Sequence, residues 1–353
     1  MEFSPIEIHE KVALGPLTTL GVGGIGRYFV RAESVEKVRA AVRFAEVHEL
    51  PLLVMGGASN LVISEHGWPG LVLEMRIDGI RQCSSAAGEI FDVGAGVDWD
   101  RFVAEGVSRG FGGIECLSGI PGRVGGTPVQ NVGAYGQEVS QSIISVLVFD
   151  RADNQVRTLT AAECHFAYRT SIFNSDARGR YIILRVQYRL TREARGSLQY
   201  SDLARYFAGQ RTPPTLQDVR KAVCEVRAAK GMLIDAHDPE SRGVGSFFKN
   251  PVLSEAAFGR LQQVAQERNL QVPSYPALAA QKKISAAWLV ENSGFPKGYR
   301  RGRVGLSRKH ALAIVNRGGA TADEVIGLKE EIQRGVEQTW GIQLDPEPVL
   351  VGF

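Results

Sequence analysis

Residues 112–138 read GGIECLSGIPGRVGGTPVQNVGAYGQE. Eight of these 27 residues are glycine, set among Pro121, Pro128, Gln130, Asn131 and Tyr135. Glycine at this density lets backbone approach a neighbour more closely than any side chain permits, and successive N–H groups in such turns make concave anion sites. The stretch is not linker, because Ile114, Leu117, Ile120, Val124, Val129 and Val132 punctuate it with core-type residues. Two readings stand: a phosphate cradle, or a set of tight turns between short strands.

Two shorter turns accompany it. GGASN (56–60) follows the apolar run 51–55, and VGAG (93–96) closes the strand-like 90–94. Three such turns in the first part of the chain would converge on one diphosphate, with Ser59 and Asn60 adding side-chain donors. Ordinary turn chemistry uses the same residues. GVGGIG (21–26) also fits GxGxxG, but the dinucleotide fingerprint needs a helix to open at it, and RYFVRA (27–32) alternates like a strand instead.

Around the turns the pattern is mixed. Ser34 caps a helix with Val38, Ala41, Val42 and Ala45 on one face, and 61–64 and 71–75 read as strands. Asp98 caps a helix to Arg109 that Gly110 stops, and strands follow at 143–150 and 181–190. TAAE (160–163) is a capping box, and the polar 191–225, with TPPT at 212–215, reads as an excursion or boundary. Ser254 and Ser285 cap two further helices, and 311–315 reads as a strand. TADE (321–324) opens a helix faced by Val325, Leu328, Ile332 and Val336; Gly341 ends it before a strand at 349–351. This is α+β, without the regular alternation of a doubly wound sheet. A length of 353 residues implies two or three domains.

Composition narrows the function classes. Hydrophobic content of 44% and charged content of 22% are ordinary for a globular protein. Net charge is +3 and no run of five Lys/Arg occurs, which argues against nucleic acid or an anionic membrane surface as partner. Lys297, Arg300, Arg301, Arg303, Arg308 and Lys309 form a local basic cluster, either a solvated loop or an anion-facing lid. The four cysteines lack CxxC spacing and the six histidines lack HExxH, so no metal is expected and a reducing compartment fits. MEFSPIEIHE lacks the apolar core of a signal peptide, and no apolar run reaches membrane-spanning length; a cytoplasmic location is expected.

Three polar clusters sit in apolar settings. In AYRTSIF (167–173), Arg169 is placed to bind a carboxylate in bidentate fashion or to make a structural ion pair. In GSFFKNP (245–251), Ser246 either holds a hydroxyl in a water-poor pocket or serves a turn. In LDPEPVLVG (344–352), two prolines fix the backbone of Glu347, which is either functional or a solvated acid before a strand.

IPGRVGGTPVQNVGAYGQE, YRTSIF, GSFFKNP and DPEPVLVG together resemble the UDP-N-acetylenolpyruvoylglucosamine reductase family, in order from TTLGVGG (18–24) to residue 352. LQYSDL (198–203) and the segment to about 230 are similar to its type I branch. The resemblance implies an α+β fold: a two-domain FAD-binding arrangement of the vanillyl-alcohol-oxidase type plus a third α+β substrate-binding domain. Residues 1–70 and 71–225 would be the FAD-binding subdomains, and 226–353 the substrate-binding domain with a C-terminal catalytic strand. The implied cofactor is FAD, held by Gly56, Gly57, Ala58, Ser59 and Asn60, by Gly119, Ile120, Pro121, Gly122, Gly125 and Gly126, by Gln130, Asn131, Gly133, Ala134 and Tyr135, and by Ile182. The implied reaction reduces the enolpyruvyl ether of UDP-N-acetylglucosamine to UDP-N-acetylmuramate for peptidoglycan, with NADPH as co-substrate. Arg169 and Glu347 would stabilise charge developing on the substrate carboxylate, and Ser246 would donate the proton. Tyr200, Lys230 and Asn250 would bind the sugar nucleotide. No metal, nucleic acid or membrane is implied; a monomer is favoured, with oligomeric state open.

Some positions depart from the family pattern. GGASN is less glycine-rich than the usual form, Asn174 stands where lysine is frequent, and the role of Asn292 is open. Two other readings compete: a flavin oxidoreductase of the same fold with another substrate, and a noncatalytic flavin- or nucleotide-binding protein. Retention of Arg169, Ser246 and Glu347 speaks against the latter.

Overall fold

The computed structural model describes residues 6–85, 88–192, 195–198, 200–277 and 280–353. Gln199 of LQYSDL and the first five residues of the N-terminal segment lie outside the described residues. The chain divides into two discontinuous compact units: Met1–Ala13, Ile25–Ala58 and Trp68–Ala229 form the first, and Leu14–Gly24, Ser59–Gly67 and Lys230–Phe353 the second. Residues 14–24 and 59–67, expected with an N-terminal subdomain, therefore group with the C-terminal residues.

In the first unit, strands His9–Ala13, Ile25–Ala32, Trp68–Met75 and Leu52–Met55 form a sheet in that order. The chain leaves Ile25–Ala32, crosses through helix Val35–Val47 and returns as Leu52–Met55, both strands pairing parallel to Trp68–Met75. The helix starts where Ser34 Oγ accepts the Lys37 N–H at 3.2 Å, and it buries Val38, Ala41, Val42 and Ala45. A second, antiparallel sheet runs Gln155–Thr160, Ile143–Asp150, Tyr181–Arg192, Gly88–Gly94, Ile80–Ser85. Phe91, Trp99, Phe102, Phe111 and Tyr188 pack edge-on or tilted beneath it, with centroids 5.1–6.0 Å apart.

The reciprocal bonds of TAAE do form: the Thr160 N–H donates to Glu163 and the Glu163 N–H to Thr160 Oγ1. No helix follows, because His165 takes a left-handed φ of 46° and the Ile172 N–H returns to the Cys164 carbonyl, turning the chain back. The polar 191–225, read as an excursion or boundary, is partly helical among its described residues. It contains helix Ser201–Tyr206 and most of helix Leu216–Ala229, the latter opened by a reciprocal Thr215–Asp218 cap. Val219, Ala222 and Val223 of that helix pack with Leu203, Phe207, Cys116 and Tyr135.

In the second unit, Leu61–Ile63 pairs parallel with Val349–Val351. Two small antiparallel sheets follow, one of Val252–Leu253, Lys282–Ile284 and Ser274–Pro276, the other of Arg300–Arg301, Val304–Leu306 and Ile314–Asn316. The strand expected at 311–315 is thus Ile314–Asn316, since the Ala313 N–H bonds to the His310 carbonyl and holds 310–313 as a turn. Helix Ala322–Trp340 opens on the Thr321–Glu324 box and closes at Gly341, whose φ of 64° needs no Cβ. Its buried stripe packs with Leu20, Val22, Val62, Phe247 and Phe248 in one core. Among the described residues, no helix is long and apolar enough to cross a membrane.

Candidate active site

The glycine-rich turns of the first unit meet one another. A Cβ on Gly57 would stand 2.8 Å from Gly122 Cα, and one on Gly125 would stand 2.7 Å from Ala95 Cβ. The Val124 and Gly125 N–H groups donate to the carbonyls of Val97 and Ala95, and the Trp99 N–H donates to that of Gly122. So 56–58, 93–97 and 122–126 pack closely against one another, while a Cβ on Gly126 would meet no atom within 4 Å. Ala58 and Gly119 take left-handed φ values of 48° and 69° to make these bends. Closely packed glycine turns, exposed at Gly126, fit the diphosphate of a dinucleotide such as FAD.

Several donors expected to face the cofactor are used by the protein. The Gly119 N–H donates to Asp100 Oδ1 at 2.6 Å and the Gly126 N–H to the Arg123 carbonyl at 2.9 Å. Asn131, 1% exposed, donates to Glu138 and the Ala167 carbonyl and accepts from the Ser140 N–H. These groups hold the loop. The Ile182 side chain lies in the core, 1% exposed. Ser59 and Asn60 fall in the second unit, where the Asn60 carbonyl accepts the Val349 N–H and its Nδ2 donates to the Glu347 carbonyl.

Arg169 sits at the tip of a two-residue hairpin. Ala167 and Thr170 exchange both backbone hydrogen bonds, and Arg169 adopts a φ of 55°. Its Nη2 donates to the Gly133 carbonyl at 2.8 Å, and its guanidinium lies 5.5 Å from the Tyr168 ring centroid. Ser171 Oγ donates to the Val129 carbonyl, so the hairpin is stitched to 129–133 along its length. Asn174 has a structural duty here: its Oδ1 accepts the Ser171 N–H and its Nδ2 donates to the Arg169 carbonyl. Tyr200 packs edge-on against Tyr135, 5.5 Å between centroids. Arg227, 8% exposed, belongs to the same neighbourhood; burial pushes its guanidinium below the usual value, opposed by Tyr135.

The second unit brings two motifs together that lie far apart in sequence. Phe248 bridges antiparallel to Pro346, the Lys249 N–H donates to the Asp345 carbonyl, and the Glu347 N–H donates to the Phe247 carbonyl, both at 2.9 Å. Ser246 and Glu347 are thus carried on adjoining extended segments, both half-buried. Phe247 and Phe248 anchor the first segment in the core, and Gly245 turns into it at φ 77°. Asn250 lies at the opening of helix Ala286–Glu291, its Oδ1 accepting the Ala286 N–H at 2.9 Å. Near Lys230 and Lys297 stands His310, whose pKa is pushed down to about 4 by burial and then by those two charges. Sequence reasoning placed Lys297 in a basic cluster but gave His310, Asp100 and Arg227 no role; no local pattern marks them. Arg169 belongs to the first unit, Ser246 and Glu347 to the second.

Residues 26–160 match the FAD binding domain family, and residues 238–351 match the C-terminal domain of UDP-N-acetylenolpyruvoylglucosamine reductase. Fold and family matches together define an FAD-dependent oxidoreductase. The UDP-N-acetylenolpyruvoylglucosamine reductase of Thermobifida fusca is 46% identical over 354 residues, covering 97% of both chains. That of Salinispora arenicola is 42% identical over 346 residues, covering 96% of this chain and 94% of the other. The crystal structure of the Thermus caldophilus enzyme superposes with a TM-score of 0.65 at 27% identity, covering 98% of this chain and 100% of that one. The chain belongs to the UDP-N-acetylenolpyruvoylglucosamine reductase family.

Proposed function

We propose that the protein reduces UDP-N-acetylenolpyruvoylglucosamine to UDP-N-acetylmuramate with NADPH, in the cytoplasm, as a step of peptidoglycan precursor synthesis. The observation that carries this reading is the joining of GSFFKNP to DPEP in the second unit, which gives Ser246 and Glu347 neighbouring, backbone-fixed positions. FAD, when bound, supplies the two-electron reduction. The surface of Gly56–Ala58 and Gly119–Gly126 holds its diphosphate, and Tyr200, Lys230 and Asn250 take the sugar nucleotide. Lysine suits a phosphate as a point charge. Arg169 and Glu347 act on the substrate carboxylate, where negative charge accumulates as the double bond is reduced. Ser246 Oγ–H holds the proton that is delivered to the carbon bearing that carboxylate.

Anaerobic rapid mixing separates the two halves of the reaction. Ser246→Ala should bleach with NADPH at nearly the native rate, yet reoxidise on addition of the enolpyruvyl sugar nucleotide at least about a hundredfold more slowly. Ser246→Cys should retain part of the second half-reaction, because a thiol still donates a proton. Native rates in both halves for Ser246→Ala would remove the proton-donor role. NADPH oxidation unaffected by the sugar nucleotide would remove the substrate assignment.

A further inference from the structure

An ion pair that touches the glycine-rich stretch has no part in the reaction just described. Asp100 lies on helix Trp99–Ser108 and Arg220 on helix Leu216–Ala229. They form a bidentate pair, Nη1 to Oδ1 at 2.6 Å and Nη2 to Oδ2 at 2.7 Å, with 35% and 22% of their side chains exposed. The same Oδ1 accepts the Gly119 N–H at 2.6 Å. A carboxylate therefore stands at the entrance to SGIPG, the turn assigned to an anionic diphosphate. Without a cation beside it, that carboxylate would repel the ligand the turn serves.

We propose that Asp100 and Arg220 are a positioning clasp for the cofactor turn. Asp100 fixes Gly119 in its left-handed conformation, and Arg220 cancels the charge so that the turn still accepts a diphosphate. Helix Leu216–Ala229 touches the same stretch elsewhere: Val219, Ala222 and Val223 pack with Cys116 and Tyr135. The Arg227 guanidinium hydrogen-bonds to Tyr135. The helix is thus a buttress of the flavin site, and its second turn supplies the neutralising charge. The proposal rests on the assignment of 119–126 to the cofactor.

Flavin-free protein titrated with FAD, followed by quenching of flavin fluorescence, tests it. Arg220→Met removes the cation paired with the carboxylate, leaving only the Arg227 charge in its field, and should weaken FAD binding roughly tenfold at low ionic strength, less at high salt. Asp100→Asn should change the affinity by less than about threefold. The Asp100→Asn/Arg220→Met double variant should recover most of the loss, because the unpaired charge is gone. Unchanged binding in Arg220→Met overturns the clasp, as does a double variant no better than Arg220→Met, which would mark a stitch without an electrostatic role. If Arg220→Met does not fold, Arg220→Lys decides: it keeps the charge, so a loss as large as about tenfold overturns the proposal. Gly57→Ala, which drives a Cβ against Gly122, separates the two levels. FAD affinity unchanged in that variant overturns the cradle; weakened FAD binding there beside native affinity in Arg220→Met overturns the clasp alone.

Discussion

His310 is a base kept neutral among lysines. Its Nδ1 accepts the Leu312 N–H at 3.0 Å, a bond available only to the unprotonated ring nitrogen. Burial first, and the Lys230 and Lys297 charges second, hold its pKa at about 4 instead of 6.5. The sign follows directly. Between those values the unfolded chain binds a proton that the folded protein does not, so stability falls as pH falls from about 6.5 to about 4 and loses nothing more from this group below that. At pH 5 the loss is about 2 kcal/mol relative to pH 7. Urea unfolding of His310→Gln should therefore show a pH 5 to pH 7 difference smaller by that amount than the native protein. Equal differences in the two proteins would remove the penalty. Asp150 titrates in a lower window: two-point contact with Arg180 keeps its carboxyl below the usual range, so its contribution fades only in stronger acid. The catalytic candidates were visible as residue types in unusual company, an arginine after tyrosine, a serine before two phenylalanines, a glutamate between prolines. The duties of Asn131, Asn250 and Gly119 were not, because their partners, such as Ala167, Ala286 and Asp100, are brought near only by the fold.

Helices announced themselves through their ends more than their middles. Ser34, Asp98, Ser254, Ser285 and Thr321 each cap the helix expected of them. The two capping boxes TAAE and TADE nevertheless part company. The second is followed by a buried stripe from Ala322 to Trp340 and becomes a helix; the first is followed by a left-handed His165 and stays a turn. A cap contributes to stability where a helix depends on it. Thr321→Val, which removes the hydroxyl and keeps the shape, should cost about 1 kcal/mol. Thr160→Val should cost less than about half of that, as measured by chemical denaturation; equal costs would show that the box matters without its helix. The Thr215–Asp218 cap carried the same signature, hidden by Pro213 and Pro214 and by the polar face of the helix behind it. Strands His9–Ala13, Ile80–Ser85 and Gln155–Thr160 escaped for a different reason. All three are sheet edges, and an edge strand keeps polar residues that break the alternating pattern.

The sequence places a boundary near residue 226; Lys230–Phe353 falls in the second unit, yet that segment is not the whole of the unit. Leu20, Val22 and Val62 lie at 0–2% exposure in its core, beside Leu328, Ile332 and Val336. Strand Val349–Val351 pairs with Leu61–Ile63, and the Ala322 N–H, at the opening of the long helix, donates to Glu65 at 2.6 Å. Asn316 Nδ2 donates to the Leu20 carbonyl, and Thr19 Oγ1 to that of Gly243. Local pattern reading assigns residues to the neighbours they have in sequence, and these loans from the first part of the chain leave no mark on it. They do set what the C-terminal segment can do alone. A protein of residues 230–353 would expose the apolar seat of Leu20, Val22 and Val62, amounting to several kcal/mol of lost burial. It would also lack the hydrogen-bonded partner of the strand that follows Glu347. Domains of this size have roughly 5–15 kcal/mol of stability in total. The fragment should therefore show no cooperative thermal transition by far-ultraviolet circular dichroism and no dispersed amide spectrum. Joining residues 14–24 and 59–67 to it through glycine-rich linkers should restore both. A sharp transition in the unsupplemented fragment would mean that the C-terminal segment closes its own core, and that the borrowed strand and core residues are dispensable.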